Sequence, residues 1–340
     1  MLRFRPLSTT PIRRTRKTAI IFPGQGSQHV GMGSDIYASF KAAKNVIDEC
    51  DAAVGGGLRD LMFNGPSSDL TLTANAQPAI LCHSIALLRV LQSEFGFDVS
   101  KSSFALGHSL GEYTALVATE SISLSEAIKL VRLRGEAMQT SVTNKQTSMR
   151  ALSINKGHLE DIEALMSKIA MIIPEGEIAE IANVNSRSQV VISGSSKGVD
   201  YACSVIQAKG FAGRALPLPV SAPFHCSMMN VAAEQMRPAL EATKFKTPVI
   251  DVISNVTGKP YRPILFDQIT KTVQWHRSIE YARDDFVDEW VAIGPSKVLS
   301  NLLKREFPVD KVRSISSAKD VEAYGQILQD GSKWEDSYGS

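Results

Sequence analysis

The chain has 340 residues, 44% hydrophobic and 21% charged, with four cysteines (Cys50, Cys82, Cys203, Cys226) far apart and no CxxC pair. That composition excludes wholesale disorder, a disulfide framework and a cysteine-based zinc site, and no window reaches the ~18 apolar residues of a membrane span. The net charge of +2 hides an asymmetry: the first 17 residues hold six of the 37 basic residues and no acid, leaving 31 basic against 35 acidic. A body of that sign excludes a nucleic-acid binder working by phosphate neutralisation.

Residues 1–17, MLRFRPLSTTPIRRTRK, are rich in arginine and contain serine and threonine. This is the composition of a mitochondrial transit peptide, with a disordered basic tail as the alternative, and it places the protein in the mitochondrial matrix. No apolar core follows the charges, so it is not a secretory signal.

The ordered chain is expected to begin with a buried strand, Thr18–Phe22, ending at Pro23-Gly24-Gln25-Gly26. Helical patterning covers about Tyr37–Ala53 and Ala76–Glu94. Phe104-Ala105-Leu106 reads as a second strand, followed by GHSLG and a helix through Ala118. Strands alternating with helices predict a largely parallel α/β sheet.

Between about Ser148 and Val220 the order changes to strand Met149–Ile154, helix His158–Lys168, strands Ile178–Val184 and Gln189–Ser193, helix Lys197–Lys209 and strand Arg214–Pro219. That βαββαβ order predicts a small inserted ferredoxin-like subdomain. The chain returns through a helix at Met228–Ala242, a strand near Val249–Ser254 and a helix ending near Phe307. The fold expected is therefore an α/β-hydrolase-like core over 18–147 and 220–317, the subdomain over 148–219, and a polar tail over 318–340.

Gly107-His108-Ser109-Leu110-Gly111 fits the G-x-S-x-G nucleophile elbow, with a strand before it and a helix after it. The Leu110 N–H then faces a developing oxyanion from the helix N-terminus. The alternative is a glycine-rich turn with a capping serine. A serine nucleophile needs a base. Of six histidines, His225 lies on a proline-stiffened segment, SAPFHC, and follows Ser109 in the order hydrolases use. His83 reads as a core or boundary residue, His158 as solvent-facing on a polar helix, and His108 as a supporting residue whose ring points away. No acid stands out as a third member, so a dyad is expected, its imidazole oriented by a carbonyl.

The next helix opens on a capping box, Ser123-Leu124-Ser125-Glu126. Projected at 100° per residue, Arg134 falls within the apolar arc of Ala127, Leu130, Val131 and Met138, whereas Arg132 and Glu136 pair on the opposite face. An inward guanidinium is costly unless an anion meets it. It reads either as an internal ion pair or a snorkelling side chain, or as a bidentate clamp on a substrate carboxylate.

From Ala19 to Phe307 these residues resemble the malonyl-CoA:acyl carrier protein transacylases and the acyltransferase domains of fatty acid and polyketide synthases. The resemblance rests on FPGQGSQ at Phe22–Gln28, GHSLG, Leu133-Arg134-Gly135 with Met138-Gln139, and Pro223-Phe224-His225-Cys226. It implies Ser109 as nucleophile, His225 as base, Gln25 and Leu110 amides as oxyanion hole, and Arg134 as the malonyl clamp. It also implies, from Val273-Gln274-Trp275, that the Gln274 main-chain carbonyl orients His225, and that Asn183 and Asn185 lie near the site. Leu110 and Phe224 look like malonyl-type choices.

No cofactor or metal is implied. The resemblance implies malonyl-CoA as donor and the phosphopantetheine thiol of acyl carrier protein as acceptor, and a free-standing monomer is expected. Two other readings stay open: a lipase-type serine hydrolase, which needs a triad acid, and a catalytically silent carrier-binding module.

Overall fold

The computed structural model describes residues 17–142, 146–260 and 264–330. Two sheets organise them. The first holds β1 (Lys17–Phe22), β2 (Phe104–Gly107), β7 (Asp251–Ile253), β8 (Val287–Ile293) and β9 (Lys311–Ile315) in the order β7-β2-β1-β8-β9, and every pairing is parallel. Alternation along β1 explains the layers. Ile20 and Phe22 join a cluster with the helix Thr73–Phe95, while Ala19 and Ile21 face Trp290 and the helix Trp275–Asp284 on the other side. A strand covered on both faces reads as a continuous apolar run, as AIIF does.

The second sheet is antiparallel, with β3 (Thr147–Ile154), β4 (Ala179–Ser186), β5 (Gln189–Ser195) and β6 (Ala212–Pro217) in the order β4-β5-β3-β6. This is the ferredoxin-like arrangement expected for βαββαβ. Its helices, Leu159–Ile172 and Ser196–Ala208, close a separate core around Leu152, Ile162, Ile192 and Ile206. Main-chain bonds join the units: Val184 N–H donates to the Val273 carbonyl, and Val273 N–H to that of Ala182. Arg187, at the β4–β5 turn, reaches Glu280 through its side chain and Glu306 through its N–H.

Two expectations are corrected, and two strands appear that the sequence reading did not expect. The helix expected at Tyr37–Ala53 is two, Ser34–Ser39 and Lys41–Ala53, parted at the extended Phe40. Strand β8 escapes a sequence reading because Asp288 and Glu289 interrupt its apolar run. Edge strand β9 escapes it because KVRSI is mostly half-buried. The expected polar tail begins instead with a helix, Ala318–Gln329, which buries Val321, Tyr324 and Gly325 against the Phe95–Phe97 corner. Residues 331–340, and the basic residues 1–16, lie outside the described residues.

The chain leaves β1 for β2 on one side, whereas β8 lies on the other, so the switch point of the kind where ligands bind falls between β1 and β8, and the cavity is lined by residues that follow β1, β2 and β8. Two close backbone approaches fix what sits there. A Cβ on Gly111 would lie 2.3 Å from the Phe22 carbonyl oxygen, and one on Gly135 would lie 2.6 Å from Ala74 Cα. Neither contact is with a side chain that can swing aside. Gly111→Ala and Gly135→Ala should therefore each cost about 3 kcal/mol or more in denaturant unfolding. Gly213→Ala, which meets nothing within 4 Å, should stay within about 0.5 kcal/mol. Near-neutral melts for the first two would contradict the packing described.

Candidate active site

Ser109 occupies the sharp bend between β2 and the helix Leu110–Ala118, with φ 53° and ψ −108°. A non-glycine residue in that region costs ~1–3 kcal/mol and needs its surroundings to enforce it. Asn255, just beyond β7, does so. Its Oδ1 accepts from Ser109 N–H at 2.7 Å, and its Nδ2 donates to the Gly107 carbonyl at 2.6 Å. The hydroxyl is thereby presented to a cavity of about 510 Å³, within the range of small-molecule sites.

His225 Nε2 lies 2.7 Å from Ser109 Oγ. The other ring nitrogen, Nδ1, is 2.9 Å from the main-chain carbonyl of Gln268. A carbonyl can only accept, so Nδ1 carries the proton and Nε2 presents its lone pair to the serine. Burial, reinforced by the Arg134 charge, pushes His225 down to about 3, which keeps it a neutral base across physiological pH. The carbonyl that orients it is thus that of Gln268, not Gln274. Gln274 is engaged elsewhere: its N–H donates to the Asn255 carbonyl, and its side chain accepts from Arg277. The segment Val273–Trp275 is stitched to β4, which holds Gln274 to this scaffold rather than to the imidazole.

Arg134 is 1% exposed, as the helical projection of Leu124–Thr140 predicts. Its Nη1 donates to Gln77 Oε1 at 2.9 Å, and its Nη2 to Gln268 Oε1 at 2.9 Å and to Ser109 Oγ at 3.1 Å. Every acceptor is neutral, Nε–H is buried with no partner, and no carboxylate is in salt-bridge contact with it among the described residues. The ring of Tyr113 lies 5.6 Å from the guanidinium carbon. The internal ion pair is therefore not formed among the described residues, and a side chain 1% exposed does not snorkel to solvent.

The remaining expected residues divide by role. Gln25 and Leu110 line the cavity beside Ser109; Leu110 N–H is among the helical amides that have no acceptor within their own helix. Gln25 is fixed through its side chain, which donates to Thr73 Oγ1 at 3.1 Å. His108 Nε2 pairs with Asn185 Oδ1 at 2.9 Å, so the ring does turn from the serine, and it lies 5.6 Å from the Trp275 ring. Asn183 and Phe224 line the same cavity, as do Asn301, Leu302 and Arg305, of which Asn301 and Arg305 are exposed.

Sequence reasoning missed Gln268, Asn255, Gln77 and Glu112. Glu112, 2% exposed, accepts at one oxygen from Gln268 Nε2 at 2.8 Å and Asn255 N–H at 3.1 Å. A lone acid in the otherwise apolar, wholly buried LGEYTALVA was the available signal; Gln268 offered none, because its contribution to His225 is main-chain.

The neutral base, the strained serine and the adjacent guanidinium form a site for nucleophilic acyl chemistry on a substrate bearing an anion. Comparison with known proteins agrees. Residues 19–305 match the acyl transferase domain family. The malonyl CoA-acyl carrier protein transacylase of Bacillus subtilis is 38% identical over 320 residues, covering 92% of this chain and 98% of that protein. That of Escherichia coli strain K12 is 39% identical over 293 residues, covering 84% and 92%. The crystal structure of the acyl-carrier-protein S-malonyltransferase from Bartonella henselae superposes with a TM-score of 0.85 at 40% identity, covering 92% and 99%. A malonyl-transacylase in complex with a type II PKS acyl-carrier protein superposes at 0.84 with 34% identity, covering 91% and 99%. This chain belongs to the malonyl CoA-acyl carrier protein transacylase family of acyl transferases.

Proposed function

We propose that the chain transfers a malonyl group from malonyl-CoA to the phosphopantetheine thiol of acyl carrier protein, through a malonyl ester on Ser109. The observation that carries this reading is the 3.1 Å contact between the buried Arg134 fork and Ser109 Oγ. A malonyl thioester has its carboxylate one methylene away from the reacting carbonyl. The same guanidinium can therefore hold that carboxylate while Ser109 reaches the carbonyl. The names of the similar proteins and the carrier complex support the same donor and acceptor.

His225 takes the Ser109 proton as Oγ attacks the thioester carbon. The Gln25 and Leu110 amides receive the oxyanion, and coenzyme A leaves as the thiol with the proton His225 returns. The carrier thiol then repeats the cycle in reverse on the malonyl-serine. Arg134 enters the chemistry a second time through its charge. Burial holds His225 down and the Arg134 field adds to it; a carboxylate seated on the guanidinium offsets the second contribution and leaves the first. An acidic acyl group therefore strengthens its own base, which an acetyl group cannot do. Among the described residues no acid is paired with His225, and the Gln268 carbonyl suffices to set its tautomer, so the lipase-type reading lacks support for the feature it needs.

Location in the mitochondrial matrix is a further proposal, supported by the basic, acid-free composition of residues 1–17. Import into isolated mitochondria should fail when those residues are removed; unchanged import would overturn it. For the reaction itself, intact-mass analysis after exposure to malonyl-CoA should find one malonyl adduct, on the Ser109 peptide, absent in Ser109→Ala. Arg134→Ala should slow malonyl transfer roughly 100-fold, the loss of about 2.7 kcal/mol, and acetyl transfer far less. Equal losses on the two donors would count against the clamp.

A further inference from the structure

Arg134 is buried as a cation without a carboxylate in salt-bridge contact among the described residues, yet a buried acid lies one side chain away. Gln268 spans the gap. Its Nε2 donates to Glu112 at 2.8 Å and to the Ser109 carbonyl at 2.9 Å, while its Oε1 accepts from Arg134. The orientation of that amide is forced, because the carboxylate can only accept and the guanidinium can only donate. Carboxylate, amide dipole and guanidinium thus stand head to tail in a water-poor interior, where charges and aligned dipoles interact strongly.

We infer that Glu112 is a positioning residue that serves as the replaceable counter-charge of Arg134, taking up a proton from solvent when a substrate carboxylate occupies the guanidinium. The inference rests on the acyl-transfer reading and adds to it a proton that accompanies the acyl group. With the site empty, Glu112 balances the cation through Gln268. Once the acyl carboxylate arrives, two acids share one guanidinium in a buried space, and the one without direct contact gives up its charge. The proton comes from solvent and goes back to it when the malonyl group leaves on the carrier. Glu112 is therefore a device for letting go: it lets Arg134 hold an acid firmly enough to select it while leaving the resting enzyme balanced for release.

The groups facing Glu112 make the proton assignable. Burial raises Glu112 to about 7, with Gln268, the Asn255 N–H and the Arg134 charge opposing that rise in this order. Cancelling the Arg134 field removes one restraint, so the carboxyl rises further on acylation. Tyr113, the neighbour on its own helix, is pushed up to about 12 by burial, and His225 beyond Gln268 is held at about 3. Neither changes protonation near neutrality. Acyl exchange from thioester to serine ester releases no proton, because coenzyme A leaves as the thiol.

The test is proton uptake by an indicator dye in weakly buffered solution during stoichiometric acylation, with the adduct counted by mass in the same sample. Malonyl-CoA should draw about half a proton per acylated site at pH 7, where a group with its midpoint near 7 is half ionised. Uptake should rise toward pH 8 and vanish at pH 5.5, where Glu112 is already protonated. An acetyl adduct should draw none. Glu112→Gln can keep both hydrogen bonds, since one oxygen accepts them, and should form the malonyl adduct without uptake while releasing it to the carrier more slowly. A full malonyl adduct with no uptake in the unaltered enzyme overturns the inference while sparing the acyl-transfer reading, and so does uptake that persists in Glu112→Gln. Absence of any adduct overturns both. The comparison of the two donors stands on the unaltered enzyme should the variant not fold.

Discussion

A guanidinium sealed from water and bonded only to neutral oxygens is an expensive group to bury, because the protein gives up its hydration and supplies no contacting anion in return. Arg134 is such a group, and most of the site follows from holding it in place. Gly135 lets its helix lie against the start of Thr73–Phe95, which brings Gln77 within reach. Gln268 receives its second arm and, through its own main chain, fixes the base. Ser109 receives the remaining donor bond. A cation kept next to a nucleophile in this way matches an acid one methylene from a reactive carbonyl.

The α/β scaffold converts that local arrangement into a durable one. Parallel strands β1 and β2 end side by side, so the Pro23–Gln25 turn and the Ser109 bend face one cavity. The inserted sheet closes the cavity from the opposite side with Asn183, Asn185 and Gln189, and Asn185 is bonded to His108 next to the nucleophile. Strain at Ser109 is sustained by Asn255, which grips the bend by its N–H and by the carbonyl of Gly107. Rigidity on that side suits a serine that attacks a thioester in one half-reaction and leaves to a thiol in the other, in the same geometry.

Much of this was legible in the residues, and the parts that were not share a cause. Buried strands and amphipathic helices announce themselves by period, so β1, β2, the ferredoxin-like unit and the inward face of Leu124–Thr140 could be placed from pattern. Ser109 and His225 were legible because side-chain chemistry demands particular residue types at a bend and beside it. Gln268 was not, since any residue offers a carbonyl and the reading from sequence settled on Gln274, six positions later. Asn255 and Gln77 act by long-range hydrogen bonds that no local spacing encodes. Strand β8 was hidden by Asp288 and Glu289. The helix Ala318–Gln329 was hidden because it buries only a narrow stripe, Val321 with Tyr324 and Gly325.

The central claim is that one buried guanidinium holds the far end of the acyl group while Ser109 holds the near end. A crystal structure of the malonyl-Ser109 ester tests it most directly. The account predicts the acyl carboxylate on the Arg134 fork within hydrogen-bond distance, with the ester carbonyl oxygen toward the Gln25 and Leu110 amides. A carboxylate turned out toward Asn301 and Arg305, with Arg134 still bonded only to Gln77 and Gln268, would contradict it.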